Sequence, residues 1–318
     1  MTESKIYDYV IIGGGSAGLA AAIYAGRARM DVLLIEGTIP GGEAARTDII
    51  ENYPGFPEAV NGPRLMELFK KQAEKFGAKF DTGEISKIEI NGEIKILTKT
   101  DGSKLKAYAV LIATGTSHLH LNVPGEKEFA GRGVSYCATC DGAFFRDVPI
   151  AVIGGGDSAL DEGLFLTRFG KKVYIIHRRD ELRATKILQE RAFADPKVEV
   201  VFDTVVEEIY GDKLVKGLRL KNVKTGEKSE LAVEGVFIFV GSKPNSEFVK
   251  GLVETDERGN IITNLMMETN VKGVYAAGDV RISSYRQVGT AVGDGITAAI
   301  AAEKYVSQIR FGKSQPAR

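Results

Sequence analysis

The sequence predicts an α/β protein of two doubly wound domains, one inserted into the other, on three observations. A β-branched run stops at three consecutive glycines twice, at Gly13 and again at Gly154. The two copies share a register: Gly13 and Gly154, Gly15 and Gly156, and Gly18 and Ala159 are each 141 positions apart. The end of the next strand obeys it too, since Glu36 and His177 are also 141 apart. Strand, glycine turn, helix and strand occurring twice describes two βαβ units, each opening a Rossmann-like three-layer domain that binds a dinucleotide.

In the first copy, Tyr7–Ile12 reads as a strand, Ser16–Ala25 as a helix of small residues and Val32–Ile35 as the returning strand. The second runs from Val148 through a helical pattern at Ser158–Phe169 to Val173–Ile176. Two later apolar runs, Ala109–Thr114 and Gly235–Val240, also lead into glycine and read as late strands of the two domains. If each closes its own sheet, the inserted domain is 116–244, and the outer one is 1–115 with 245–318, ending in a helix at Gly289–Tyr305. The linkers Thr116–Gly125 and Gly241–Asn245 carry the glycine and proline of exposed turns.

The chain has 318 residues, 44% of them apolar, enough for two cores. Its 42 basic and 42 acidic residues cancel, so no long-range field draws a nucleic acid or an anionic membrane. The longest apolar runs fall far short of the ~18–20 residues that span a bilayer, and Met1–Asp8 lacks the pattern of a signal peptide. The expectation is a soluble cytoplasmic protein.

In Gly13-x-Gly15-x-x-Gly18 the first glycine permits a tight turn, the second lets backbone approach a pyrophosphate and the third lets helix and strand pack closely. The anion then rests on the N-terminus of the helix that Ser16 and Ala17 open, where free N–H groups and the dipole favour negative charge. Glu36 is placed to accept ribose hydroxyls and to repel a 2′-phosphate. The second turn, Gly154-x-Gly156-x-x-Ala159, encloses Asp157 and Ser158 and has no acid in register with Glu36. His177, Arg178 and Arg179 stand there instead, followed by Arg183, and arginine forks pair with phosphate oxygens. The exchange fits NADP rather than NAD.

The only two cysteines are Cys137 and Cys140, followed at once by Asp141. A four-sulfur zinc site needs two more thiolates, and a disulfide closing so short a loop constrains little of the unfolded chain. What remains is a reversible dithiol, in which one sulfur attacks and the other resolves the mixed disulfide. Asp141 is either the group that moves protons to and from the departing thiolate or a turn residue before Gly142. His118-Leu-His120 has no third ligand spaced nearby and reads as ordinary surface, so no metal is expected.

With two nucleotide motifs and a Cys-x-x-Cys between them, the chain resembles the low-molecular-weight thioredoxin reductases over nearly its whole length. The resemblance is carried by GGGSAGLAAA at Gly13, ENYPGF at Glu51, ATG at Ala113, CATCDG at Cys137, GGGDSA at Gly154, HRRDELRA at His177, AAGDV at Ala276 and YRQ at Tyr285. It implies FAD in the outer domain, held at the first glycine turn, Glu36, Gly41, Gly42, Glu43, Asn52 and Ala113-Thr114-Gly115. Gly278 and Asp279 would lie at the ribityl and phosphate region, and Arg286 and Gln287 near the flavin. It implies NADPH in the inserted domain, a Cys137–Cys140 disulfide against the isoalloxazine and Asp141 as the proton-transfer acid. Hydride would pass from NADPH to FAD and an electron pair from there to the disulfide, which reduces a thioredoxin or thioredoxin-like protein. A homodimer follows from the resemblance alone.

Nicotinamide and dithiol lie in one domain and need the same flavin, so the family's domain swing is expected, with hinges near Gly115 and Gly241. Two departures stand out. Gly41–Ala45 reads GGEAA where GGQ and a bulky apolar residue are usual, so Glu43 places a carboxylate near the flavin, where it disfavours the anionic reduced form. Gly163 replaces a typical helix alanine. The competing readings are a flavin dithiol oxidase and a ferredoxin-fed reductase, both of which dispense with the nicotinamide site, the reductase of a peroxiredoxin system, and a non-catalytic flavin scaffold. The cluster His177–Arg183 argues against the first two, and a glycine motif already at Gly13 leaves no room for the added N-terminal dithiol domain of the third. A scaffold would not need the paired thiols and the 2′-phosphate cluster together.

Overall fold

The computed structural model describes residues 5–37 and 40–312. In chain order the elements are β1 (Ile6–Ile12), α1 (Ser16–Arg27), β2 (Val32–Glu36), α2 (Gly62–Lys75), β3 (Lys79–Thr82), β4 (Ile85–Asn91), β5 (Ile94–Lys99), β6 (Lys104–Ile112) and β7 (Thr116–His118). They continue as β8 (Val134–Ser135), α3 (Ala138–Asp141), β9 (Pro149–Ile153), α4 (Asp157–Leu166), β10 (Lys172–Ile176), α5 (Lys186–Ala194), β11 (Val198–Val201) and β12 (Thr204–Gly211). The last are β13 (Val215–Asn222), β14 (Lys228–Ala232), β15 (Gly235–Ile238), β16 (Ser242–Pro244), β17 (Val274–Ala276) and α6 (Val288–Phe311).

The chain divides into two compact units, one of residues up to Ser117 with those from Lys243 on, the other His118–Ser242. The first is built on a sheet ordered β3-β2-β1-β6-β5-β4. Strands β1, β2, β3 and β6 run parallel, β5 and β4 turn back antiparallel, and β17 joins the far end of β6 in parallel. Strands covered on both faces read as continuous apolar runs, which is why β1 carries Tyr9, Val10, Ile11 and Ile12 at 5% exposure or less. Tyr9 and Ile11 enter the core under α1 and α6, and Val10 and Ile12 the core on the other face. Helix α1 packs closely on α6 because seven of its twelve residues are alanine or glycine; a Cβ at Gly295 would fall 2.0 Å from the Ala17 carbonyl oxygen.

Helix α2 begins where Asn61 accepts the Arg64 N–H at 3.2 Å, a side-chain cap with Pro63 in the first turn. Leu65, Met66 and Ala73 bury one face and leave Lys70 and Lys71 toward the edges.

The second unit has an all-parallel sheet ordered β11-β10-β9-β15-β8 and an antiparallel one of β12, β13 and β14. The 141-residue repeat is visible in the pairing: Ile12 stands beside Ile35 across β1 and β2, and Ile153 beside Ile176 across β9 and β10. The separate ribbon of β7 and β16 completes the sheets.

Several boundaries differ from the expectation. β6 starts five residues before Ala109, because its first half pairs with β5. Helix α4 stops at Leu166 rather than Phe169, where the Thr167 hydroxyl donates to the Leu164 carbonyl at 2.8 Å and the chain tightens toward Gly170. Helix α6 continues past Tyr305 to Phe311 and ends at Gly312. The hairpin β4–β5 and the β12–β14 sheet were not anticipated. No helix among the described residues is long and apolar enough to cross a membrane.

Candidate active site

In the first unit Gly13 adopts φ +111°, and a Cβ there would lie 2.2 Å from the Ala113 carbonyl oxygen. A Cβ at Gly18 would lie 1.9 Å from the Gly13 oxygen, so both positions exclude a side chain. Nothing stands within 4 Å of a Cβ placed on Gly15, so this glycine at the start of α1 opens onto free space. That is the shape of a cradle for a ligand that touches backbone.

Around this turn the structure gathers most of the expected residues. A Cβ on Gly42 would lie 3.2 Å from the Gly15 Cα. Ser16 donates to the Met66 sulfur at 3.6 Å, and Gly278 approaches Ala17 while its N–H donates to Asp294 at 3.1 Å. Asp279 accepts from the Ser284 hydroxyl at 3.2 Å. Burial pushes the Asp279 carboxyl above its usual range, with the Ser284 bond and Arg286 opposing and the charges of Asp294 and Glu43 adding to the rise. Asn52 donates to the Gln287 amide oxygen at 3.0 Å. Glu43 pairs with Arg46 at 3.2 Å. Thr114 donates to the Asn245 carbonyl at 2.7 Å, and Gly115 accepts the Asn245 N–H at 3.0 Å. Gly41 takes φ +86° against Met66.

Glu36 is buried at the end of β2, and its Oε1 has no hydrogen-bond partner. A buried carboxylate oxygen without a donor is costly unless a ligand supplies one, and a ribose hydroxyl is such a donor. Two groups were missed by sequence reasoning. Lys70 holds the other Glu36 oxygen at 2.5 Å, and Arg281 forms a two-pronged pair with buried Asp294 at 2.7 Å on each prong. Neither pair has a local spacing that a sequence reader could use.

In the second unit the turn repeats: Gly154 takes φ +151°, a Cβ on it would lie 2.4 Å from the Phe239 carbonyl oxygen, and Gly156 is open. The Ala159 methyl group, in place of a third glycine, lies 2.8 Å from where a Cβ on Gly154 would stand. Asp157 accepts the Thr185 N–H at 2.6 Å and Gly155 accepts that of Arg183 at 2.7 Å, which fixes Arg183 beside the turn. Ser158 is exposed at the start of α4. His177 is buried under Gly155, and burial lowers its pKa; a backbone bond at Glu181 opposes this, while Arg183, Arg179 and Arg178 reinforce it. The side chains of Arg178, Arg179 and Arg183 are exposed and make no ion pair among the described residues. Three uncompensated guanidinium groups at one turn suit a dianion.

Cys137 and Cys140 form a disulfide, with Cα atoms 5.3 Å apart. Cys137 caps the single turn α3, its sulfur 3.2 Å from the Cys140 nitrogen, and Cys140 is the more exposed of the two. The Ala138 N–H donates to Glu162 of α4 at 3.0 Å. Ser135 accepts the Cys137 N–H at 3.1 Å and donates to Asp141 at 2.7 Å, so the carboxylate is tied to the backbone of the dithiol. His118 and His120 flank Tyr136, with ring centres 6.5 and 5.0 Å away, and His120 also meets Tyr136 and buried Glu126 by hydrogen bonds.

Two dinucleotide-type turns and a redox disulfide define a nucleotide-linked disulfide oxidoreductase. The family model of the pyridine nucleotide-disulphide oxidoreductases matches residues 7–295. The chain is 48% identical over 311 residues to a thioredoxin reductase of Bacillus subtilis, covering 98% of both chains. It superposes on the crystal structure of Lactococcus lactis thioredoxin reductase with a TM-score of 0.93 at 49% identity, covering 95% of this chain and 99% of that one. For the crystal structure of T. acidophilum thioredoxin reductase the values are 0.91 and 36%, with the same coverage. The chain belongs to the pyridine nucleotide-disulphide oxidoreductase family, among its low-molecular-weight thioredoxin reductases.

Proposed function

We propose that the chain is an NADPH-dependent thioredoxin-disulfide reductase, with FAD in the outer unit, NADPH in the inserted unit and Cys137–Cys140 as the group that meets the protein substrate. The disulfide between Cys137 and Cys140, tied to Asp141 through Ser135, carries this reading.

The residues present fit both nucleotides. The open face of Gly15 and the N-terminus of α1 suit the FAD pyrophosphate, Glu36 Oε1 a ribose hydroxyl, and Gly278 with Asp279 the ribityl and phosphate region. Asn52, Glu43, Arg286 and Gln287 are the groups proposed to line the flavin. In the inserted unit Gly156 and α4 suit the second pyrophosphate, and Arg178, Arg179 and Arg183 a 2′-phosphate. His177, buried with its pKa lowered by that burial, supports the turn from beneath. When bound, FAD supplies the conversion of a hydride from NADPH into the electron pair that a disulfide accepts.

The chain's own residues handle sulfur and protons. Two electrons break the Cys137–Cys140 bond into a thiolate and a second sulfur that takes a proton, and Asp141 is the proposed donor. In the exchange with the substrate, one thiolate attacks a sulfur of the thioredoxin disulfide and expels the other as thiolate. The remaining cysteine then attacks the mixed disulfide, re-forming Cys137–Cys140 and releasing reduced thioredoxin. Asp141 takes back the proton of the resolving thiol. A ferredoxin-fed reductase or a dithiol oxidase would leave the three arginines without a ligand. The same resemblance extends the proposal to a cytoplasmic homodimer.

Steady-state oxidation of NADPH in the presence of oxidised thioredoxin tests the proposal. Turnover that needs both thioredoxin and Cys137 is expected; NADPH oxidation that oxygen alone sustains, with thioredoxin left oxidised, refutes it.

A further inference from the structure

We propose that Lys70 is a positioning residue of the first nucleotide site, clamping Glu36 so that one carboxylate oxygen stays aimed at the ribose of an adenosine group. The inference rests on the reading of that site as the FAD site.

Glu36 is a buried acid of the unit, its side chain 5% exposed. Lys70 reaches it from α2, 34 residues along the chain, with Nζ 2.5 Å from Oε2 and its own side chain 33% exposed. No other group among the described residues donates to this carboxylate. Oε1 is left over: it is shielded, has no partner, and lies so close to the glycine turn that a Cβ on Gly14 would come within 3.0 Å of it. One oxygen is thus anchored and the other presented over the turn. Lys70 is itself fixed, because its ammonium lies 4.8 Å from the centre of the Phe80 ring on β3.

The charge arrangement follows. An adenosine covering the turn removes water from the carboxylate, and a buried anion stays favourable only with a paired cation and filled hydrogen bonds. Lys70 supplies the cation on one oxygen and the ribose the donors on the other. The Lys70 ammonium is a compact charge that engages Oε2 and leaves Oε1 open.

The test uses the protein stripped of flavin, as the parent, K70M and K70R. The dissociation constant of FAD is read from flavin fluorescence, and the urea unfolding midpoint of each flavin-free protein is measured beside it. Removing a charge-assisted hydrogen bond is expected to weaken FAD binding about tenfold in K70M, with most of the loss recovered in K70R and flavin-free midpoints unchanged. Equal FAD affinity in K70M and parent overturns the inference, as does weaker binding that tracks a lowered midpoint in both variants. Failure of the parent to take up FAD refutes the FAD reading instead.

Discussion

The Ser135 hydroxyl donates to Asp141 Oδ2 at 2.7 Å while accepting the Cys137 N–H at 3.1 Å. One buried oxygen therefore sets both the direction of the carboxylate and the start of the dithiol turn. Replacing Ser135 by alanine removes the hydroxyl that holds the Asp141 carboxylate. Turnover with thioredoxin is expected to fall about tenfold, the size of a lost charge-assisted hydrogen bond, while NADPH bleaches the flavin at the parent rate. Stopped-flow absorbance separates the two steps, and an equal loss in both would assign Ser135 a purely structural role.

The arginines at the second turn give a sharper discrimination. With Arg178 and Arg179 both changed to alanine, the KM for NADPH is expected to rise at least about tenfold and that for NADH to stay within about twofold. Both groups are exposed, so the fold has no need of them. Equal losses for the two nucleotides would remove the 2′-phosphate role.

Gly163 lies inside α4, where glycine costs about 1 kcal/mol relative to alanine. A Cβ there would meet Ile175 at 3.5 Å and Val152 at 3.8 Å, ordinary contact distances. Gly163→Ala is therefore expected to raise the urea unfolding midpoint of the protein by an amount equivalent to about 1 kcal/mol. A lowered midpoint would mean that β9 and β10 cannot accept the methyl group.

Lys95 is fully buried on β5, bonded to the Tyr305 hydroxyl at 2.8 Å and the Glu93 carbonyl at 3.1 Å. Burial lowers its pKa to about 8; the charge of Glu93 opposes the fall and that of Lys272 adds to it. The charged form is thus disfavoured in the folded state. Between the folded and unfolded pKa values the unfolded chain binds the extra proton, so stability rises with pH. From about pH 8 to about pH 9.5 the unfolding midpoint of the parent should climb relative to Lys95→Met. A constant difference between the two across that range would place the Lys95 pKa elsewhere.

Much of the fold was legible because glycine turns carry hard steric requirements. Gly13 and Gly154 meet a carbonyl oxygen on the neighbouring strand, so the 141-residue repeat records the same contact made twice. Glu36 was legible for a similar reason, since its distance from the turn follows from one helix and one strand. Lys70 was not, because the contact depends on how α2 lies over β2, and a lysine among Lys70 and Lys71 looks like any solvated face. The Arg281–Asp294 pair has the same character. The hairpin of β4 and β5 did have a signal, alternating apolar residues on both sides of Asn91-Gly92, with Gly92 at φ +59°. The surrounding parallel βαβ pattern masks that signal, since it implies no turn-back in the sheet. The Ser135–Asp141 bond lay within six residues and still left no trace, since serine and aspartate before a glycine read equally well as turn residues.

The central claim is a relay from the arginine-bearing nucleotide site through a flavin to Cys137 and Cys140. An anaerobic titration with NADPH, followed by oxidised thioredoxin, tests it on the parent and on Cys140→Ser. The account expects NADPH to bleach the flavin in both proteins, and thioredoxin to restore the colour in the parent alone. Flavin absorbance that NADPH leaves unchanged, or colour restored by thioredoxin in Cys140→Ser as fast as in the parent, would contradict it.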